Sequence, residues 1–193
     1  MGKIIITTNM TLDGVVQDPD GMEGTAFGGW FRQYVGKDFD AWSVREIDEA
    51  LCADALLLGR HSDAWFATRM PTAWSAVWAA RVTSLPKYVV SSTLDRAESS
   101  NATVLSGDVV KEISELKRKQ SGDILVYGSY QLVRTLIAHG LADELRLVVF
   151  PVVLGTGARL FDDVGNTKPM RLVKTEQLGD GLVFNSYEFL SAA

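Results

Sequence analysis

One cysteine, Cys52, and two histidines, His61 and His139, are all that 193 residues contain of these types. A single thiol forms no internal disulfide, so a reducing cytoplasm is the expected setting. With so few soft ligands no zinc cluster has recognised spacing, and no metal site is expected. The sequence has no G-x-S-x-G elbow and no Walker lysine, so it lacks the marks of a Ser-His-Asp hydrolase or a P-loop enzyme. Cations are outnumbered: 19 Lys and Arg face 24 Asp and Glu, for a net charge of −5. A nucleic-acid partner is not expected, because phosphate backbones need clustered cations. The one basic run, Lys117-Arg118-Lys119, ends a predicted helix, where it complements the helix dipole. No apolar run approaches the roughly 20 residues of a membrane span. MGKIIITTNM has too short an apolar run for a signal peptide and enters a strand directly.

What is present is a globular composition, 47% hydrophobic and 22% charged. A chain of this length buries roughly 70% of its unfolded surface, so one domain over residues 1–193 with its own core is expected. Lys3 to Thr8 is a β-branched run that predicts the first strand, broken by Leu12-Asp13-Gly14. Residues 16 to 40 mix glycines with Trp30, Phe31 and Tyr34 and read as a mobile aromatic loop with one helical turn. Long loops of this kind tend to be functional. Ser43-Val44-Arg45-Glu46 has the form of a capping box opening a helix to about Cys52.

Further along, Ala55 to Leu58, Lys87 to Val90 and Ile124 to Tyr127 read as buried strands, with a short one at Val104-Leu105. Helices are expected from Ser62, from Asp108 as cap, and over Leu132, Leu136 and Ile137, with His139 closing the last. Trp65, Trp74 and Trp78 lie in apolar helical surroundings and are expected in the core. Arg171 to Gln177 and Leu182 to Phe189 form an antiparallel hairpin. The alternation predicts a three-layer α/β domain, a mixed sheet with helices on both faces and antiparallel last strands. Leu145, Leu147, Val149 and Phe150 give one strand apolar side chains on both faces. That fits a homodimer, or burial beneath a helix.

Three strand ends look alike: Leu58-Gly59-Arg60, Val90-Ser91-Ser92-Thr93 and Tyr127-Gly128-Ser129. In open α/β sheets the carboxyl ends of parallel strands border the ligand crevice, so all three can face one phosphate-bearing ligand. A glycine turn into a helix points backbone N–H groups at a phosphate. Arg60 offers a guanidinium fork, Ser91, Ser92 and Thr93 offer hydroxyls, and the first acid after them is Asp95. Arginine with hydroxyls and no acid favours NADPH over NADH; the alternative is a surface ion pair and a serine turn. Gly155-Thr156-Gly157 begins like a dinucleotide fingerprint but has Leu160 at the third glycine position, and reads as a loop.

NMTLDG, LLLGRHSDAW, LPKYVVSSTL, ILVYGSYQLVRTLIAHGLADELRL and PVVLGTGARLF follow in order from about Lys3 to Phe161. Together they resemble the dihydrofolate-reductase-like superfamily, within it proteins similar to the reductase domain of the bifunctional riboflavin-biosynthesis deaminase/reductase. The resemblance implies NADPH along the strand ends and hydride transfer to a small heterocyclic C=N or C=O. By position, Asn9 and Met10 would meet the nicotinamide, and Gly59 and Arg60 the adenosine-side phosphates. Ser91 and Ser92 would meet the 2′-phosphate or adenosine, and Gly128, Ser129, Tyr130, Gln131 and Leu132 the pyrophosphate. Asp13, in the L-D-G motif, would be the proton donor or orienter, or else a turn-capping aspartate before Gly14.

The chain departs from the resemblance on the substrate side. Riboflavin-pathway reductases usually carry glutamate where this chain has Tyr127, and the tract from Asp18 to Trp42 is rich in Gly and Trp. Dihydrofolate reductase proper uses an acid in the helix after its first loop, and Asp38, Asp40, Glu46 and Asp48 are all in range. The reading is therefore an NADPH-dependent reductase. Its alternatives are 5-amino-6-(5-phosphoribosylamino)uracil reductase or a noncatalytic NADP-binding protein.

Overall fold

The computed structural model describes residues 1–161 and 167–190. Among these residues eight strands form one sheet: β1 (Ile4–Thr11), β2 (Ala55–Gly59), β3 (Lys87–Val90), β4 (Ala102–Leu105), β5 (Ile124–Tyr127), β6 (Glu144–Phe150), β7 (Met170–Leu178) and β8 (Leu182–Phe189). Their spatial order is β4-β3-β2-β5-β1-β6-β8-β7. The first six are parallel, and β8 and β7 complete the sheet antiparallel, as expected of the hairpin.

Among the described residues six α-helices flank the sheet: α1 (Trp30–Val35), α2 (Phe39–Cys52), α3 (Arg60–Arg69), α4 (Ala76–Ser84), α5 (Val109–Lys119) and α6 (Tyr130–Ala138). Strand residues alternate between faces, so Ile4, Ile6, Ile124 and Val126 meet Ile113 and Leu116 of α5 and Val133, Leu136 and Ile137 of α6. On the other face Ile5, Leu56, Leu58 and Leu125 meet Ala50 of α2, Phe66 of α3 and Trp78 and Val82 of α4. This is the expected three-layer mixed α/β arrangement. α5 begins as predicted, with the Asp108 carboxylate accepting from the Lys111 N–H at 3.0 Å. Among the described residues no helix is long and apolar enough to cross a membrane.

Four local expectations are corrected. β1 does not stop at Thr8: it runs to Thr11 because β6 offers partners as far as Phe150. Residues 16 to 40 are not one loop. Trp30 opens α1 with its ring fully buried, edge-on to Phe150 at 5.3 Å. The buried Asp18 carboxylate gathers the N–H groups of Glu23 and Thr25 and the Thr25 hydroxyl. The Ser43 capping box is interior to α2, and the Ser43 hydroxyl donates back to the Asp40 carbonyl. Asp38 precedes the helix, with its carboxylate spent on the Asp180 and Gly181 N–H groups of the β7–β8 turn. Of the three tryptophans expected in the core only Trp78 is buried; Trp65 and Trp74 are each 38% exposed.

Candidate functional site

The C-terminal ends of β3, β2, β5 and β1 lie side by side, so the parallel topology gathers the three look-alike strand exits and the end of β1 along one sheet edge. The Gly59 N–H donates to the Ser129 hydroxyl at 2.9 Å. That hydroxyl bonds Ser62 of α3 at 2.7 Å, so one serine laces β2, β5 and α3 together. Gly128 and Ser129 both have positive φ, +56° each, which turns the chain sharply out of β5 into α6. A Cβ on Gly128 would meet the Ser62 hydroxyl at 3.2 Å, and one on Gly59 would lie 3.5 Å from the Ser129 hydroxyl. The turn thus keeps open backbone beside the N-terminus of α6.

Arg60, exposed at the start of α3, reaches across to the Thr93 hydroxyl at 3.4 Å. The Ser91 hydroxyl is buried and accepts from the Thr93 and Leu94 N–H groups at 3.2 Å each, so it shapes the turn, while Ser92 is exposed. Around the α6 N-terminus Tyr130 is half-buried and Gln131 exposed, whereas the Leu132 side chain is in the core, leaving only its backbone for a ligand. Asn9 and Met10 are half-buried at the end of β1. Asn9 Oδ1 accepts from Trp42 Nε1 at 3.0 Å. Exposed glycine backbone, hydroxyls and a guanidinium along one edge fit a dinucleotide phosphate chain.

Asp13 fastens two loops. Its carboxylate accepts from the Thr11 hydroxyl at 2.7 Å and from the Gly155 and Leu154 N–H groups at 2.8 and 3.2 Å, with Arg159 3.7 Å away. Burial pushes its pKa up, but the Thr11 hydroxyl and the Gly155 and Leu154 amides outweigh it and hold the group below the ordinary aspartate range. Gly155-Thr156-Gly157 is a loop, as expected, and its backbone is one of the partners Asp13 holds.

The composition pattern gave no sign of a cluster on α2. Trp42, Glu46, Glu49 and Ala50 form its buried stripe, at spacing i, i+4, i+7 and i+8. Trp42 meets Asn9 and the Thr7 hydroxyl approaches Glu49, which sets Glu46 along the end of β1, within electrostatic reach of Tyr127 on β5. Burial, then the neighbouring Glu49, push the Glu46 carboxyl well above the glutamate range against the pull of Arg45. Burial also raises Glu49, opposed by Thr7, Arg146 and Arg45. Arg45 and Arg146 lie 3.4 and 3.6 Å from it. Burial and the two glutamates keep the Tyr127 phenol protonated. Trp78 stands beside that phenol, yet Trp78 Nε1, the Tyr127 hydroxyl and both Glu49 oxygens are buried without completing a hydrogen bond among the described residues. Asp40 and Asp48 face solvent. Among the described residues no group of His, Cys, Asp and Glu is arranged to hold a metal.

The pattern of the family described as the RibD C-terminal domain matches residues 2–184. The uncharacterized protein YyaP of Bacillus subtilis (strain 168) is 30% identical over 191 residues, spanning 94% of this chain and 92% of that protein. Among solved structures, a putative riboflavin biosynthesis protein from Shewanella sp. PV-4 superposes with a TM-score of 0.73 at 20% identity, covering 98% of this chain and 99% of that one. The diaminohydroxyphosphoribosylaminopyrimidine deaminase/5-amino-6-(5-phosphoribosylamino)uracil reductase of Thermotoga maritima superposes at 0.60 with 15% identity. There the match covers 98% of this chain but 57% of the bifunctional protein. At these identities the structural likenesses establish the fold.

Proposed function

We propose that this chain, which belongs to the RibD C-terminal domain family, is an NADPH-dependent reductase of a small heterocyclic C=N or C=O compound. The observation that carries the reading is the lacing of Gly59, Ser62 and Ser129 beside an exposed Arg60. Gly59 and the backbone of Gly128 to Leu132 would hold the pyrophosphate. Arg60 with Ser92 and Thr93 would hold the 2′-phosphate, and the end of β1 at Asn9 and Met10 the nicotinamide. When bound, NADPH supplies the hydride.

Protonation must accompany the reduction. Asp13, held ionised, is a poor donor near neutrality and enters the reading as the clasp between the L-D-G turn and the 154–155 loop. Glu46, whose carboxyl burial and then Glu49 push well above the ordinary glutamate range, enters as the donor. The reading is tested by titrating wild type and Arg60→Ala with NADPH and with NADH. Loss of one charge-assisted contact costs about 1.5–3 kcal/mol, roughly ten- to a hundredfold in NADPH affinity. NADH binding should not change. Equal wild-type affinities for the two cofactors would overturn the assignment.

We also propose a homodimer. Val149, Val183, Asn185, Tyr187, Phe189, Met170, Leu172, Thr175 and Gln177 share one face of β6, β8 and β7 by register, and none is ionised. Leu172 is 52% exposed and Val183 39%. Two copies of an acidic chain can meet there without burying charge.

A further inference from the structure

The stretch from Val15 to Cys52, which leads from the first turn to the end of α2, carries eight acidic residues against three basic ones. Two of the three cations are engaged. Lys37 pairs with Asp180 at the hairpin turn, and Arg45 lies 3.4 Å from Glu49 with its guanidinium 3.9 Å over the Phe184 ring. Arg32 is exposed on α1. Arg146, the cation reaching in from β6, pairs with Glu144 at 2.7 Å and stands 3.6 Å from Glu49. A phosphate needs a free cation or open helix N-terminal amides. At the start of α2 it would meet Asp38 and Asp40 instead.

Aromatic rings supply what charge does not. Phe31, Trp42, Trp74, Trp78 and Tyr127 stand in successive contact, with centroids 4.7, 5.1, 5.5 and 6.2 Å apart, from α1 to the end of β5. Phe39 packs on both Trp42 and Trp74. Trp74 is 38% exposed and Phe31 and Phe39 are half-buried, so the row is open on one side. At its inner end the Tyr127 hydroxyl and Trp78 Nε1 lie buried beside one another, and neither completes a hydrogen bond among the described residues, which leaves the phenol O–H to donate elsewhere. Buried polar groups are nearly always partnered, and donors left open beside a strand-end crevice suit a ligand.

We propose that the substrate of this site is an uncharged planar ring without a phosphate, stacked on the Trp42–Trp74 row and hydrogen-bonded by the Glu46 carboxyl and the Tyr127 hydroxyl. The inference rests on the reductase reading and narrows its substrate class. A flat ring gains from edge and face contacts with the indoles. A neutral carboxyl donates to the ring nitrogen or oxygen that takes up electron density during reduction. The charged and titratable groups around Glu46 are Arg45 and Glu49 on its own helix, Tyr127 on β5, and Arg146 and Glu144 on β6.

Tryptophan fluorescence of the whole protein, with and without saturating NADP+, reads binding of 5,6-diaminouracil and pterin against 5-amino-6-(5-phosphoribosylamino)uracil. At least one bare ring should bind about tenfold or more tightly than the phosphorylated compound, with little dependence on salt. Glu46→Gln, which keeps a donor, should hold ring affinity within about threefold, while Glu46→Leu should lose about tenfold or more. Melting temperatures of both variants check that they are folded. Equal or tighter binding of the phosphorylated compound, no ring binding at millimolar concentration, or a Glu46→Gln loss as large as that of Glu46→Leu in folded protein would each overturn the proposal. NADPH affinity is read separately from nicotinamide fluorescence. Its absence removes the reductase reading, whereas ring failure alongside intact NADPH binding removes only the substrate class.

Discussion

Gly128 offers the sharpest test of where the cofactor lies, provided that backbone strain is separated from ligand contact. Its φ of +56° is left-handed, so any side chain there is strained whether or not a ligand is present. Alanine in that region costs about 1–2 kcal/mol. A protein of this size loses about 2–4 °C of melting temperature per kcal/mol. The added Cβ also meets the Ser62 hydroxyl at 3.2 Å, which a small rotation of Ser62 relieves. Gly128→Ala should therefore melt lower by about 2–8 °C.

Gly140 is a matched control. It has φ +63°, follows α6 at its far end, and a Cβ there meets nothing within 4 Å. Gly140→Ala should lower the melting temperature by a similar amount while leaving NADPH affinity as in wild type. Gly128→Ala should lose about a hundredfold in NADPH affinity, close to 2.7 kcal/mol, because the methyl group occupies the place where pyrophosphate would approach the backbone. Calorimetry or nicotinamide fluorescence on the two preparations gives both quantities. If folded Gly128→Ala binds NADPH as Gly140→Ala does, the pyrophosphate does not lie on this turn.

Asp13 should behave as a structural clasp. Asp13→Asn removes charge-assisted acceptance from the Gly155 and Leu154 amides and should cost about 2 kcal/mol at neutral pH. Because its folded pKa lies below the ordinary 3.8, that stabilisation is present above the unfolded value and lost as pH falls through the folded one. The gap between wild type and Asp13→Asn in chemical denaturation should therefore narrow on acidification, and a constant gap down to about pH 2 would refute the clasp. For the homodimer, light scattering at micromolar concentration should give twice the monomer mass for wild type and a monomer for Leu172→Glu, which puts a charge on the uncharged sheet face. A wild-type monomer would settle against it.

Strands β2, β3 and β5 were legible because short apolar runs end in glycine or serine, a pattern that forces both burial and a turn. The end of β1 was not, since Asn9, Met10 and Thr11 look like a polar break until β6 supplies their pairing as far as Phe150. The start of α2 was hidden by a plausible local rule. Ser43 and Glu46 have capping-box spacing, but Trp30, Phe31 and Phe39 pack together with Trp42 and order the chain earlier. Gly59, Arg60, Ser92, Gly128 and Ser129 were expected along one sheet edge from their strand-end positions and lie there, although only the structure shows Ser129 joining two strands to α3. Glu46 stood undistinguished among four acids in range and Glu49 was not singled out at all, because charged residues on a helix are ordinarily assigned to solvent. The available signal was Trp42 and Ala50 at i and i+8, which fix the buried stripe and carry both glutamates inward.

The tyrosine that replaces the expected glutamate ahead of Gly128 follows from the same helix. Burial, and after it Glu46 and Glu49, already push the Tyr127 phenol well above its ordinary range. A glutamate at that position would bring a third carboxyl into a site where burial penalises the charge of each, and the cations within reach, Arg45 and Arg146, already stand beside Glu49. A phenol fills the space, stays neutral and still offers a donor, so the acid on α2 and the missing acid on β5 are one arrangement. The edge proposed for the cofactor phosphates rests on glycine backbone and Arg60, which this exchange does not touch. On the proposed reading, the chain would keep the cofactor side while offering its substrate a phenol in place of a carboxylate at this position.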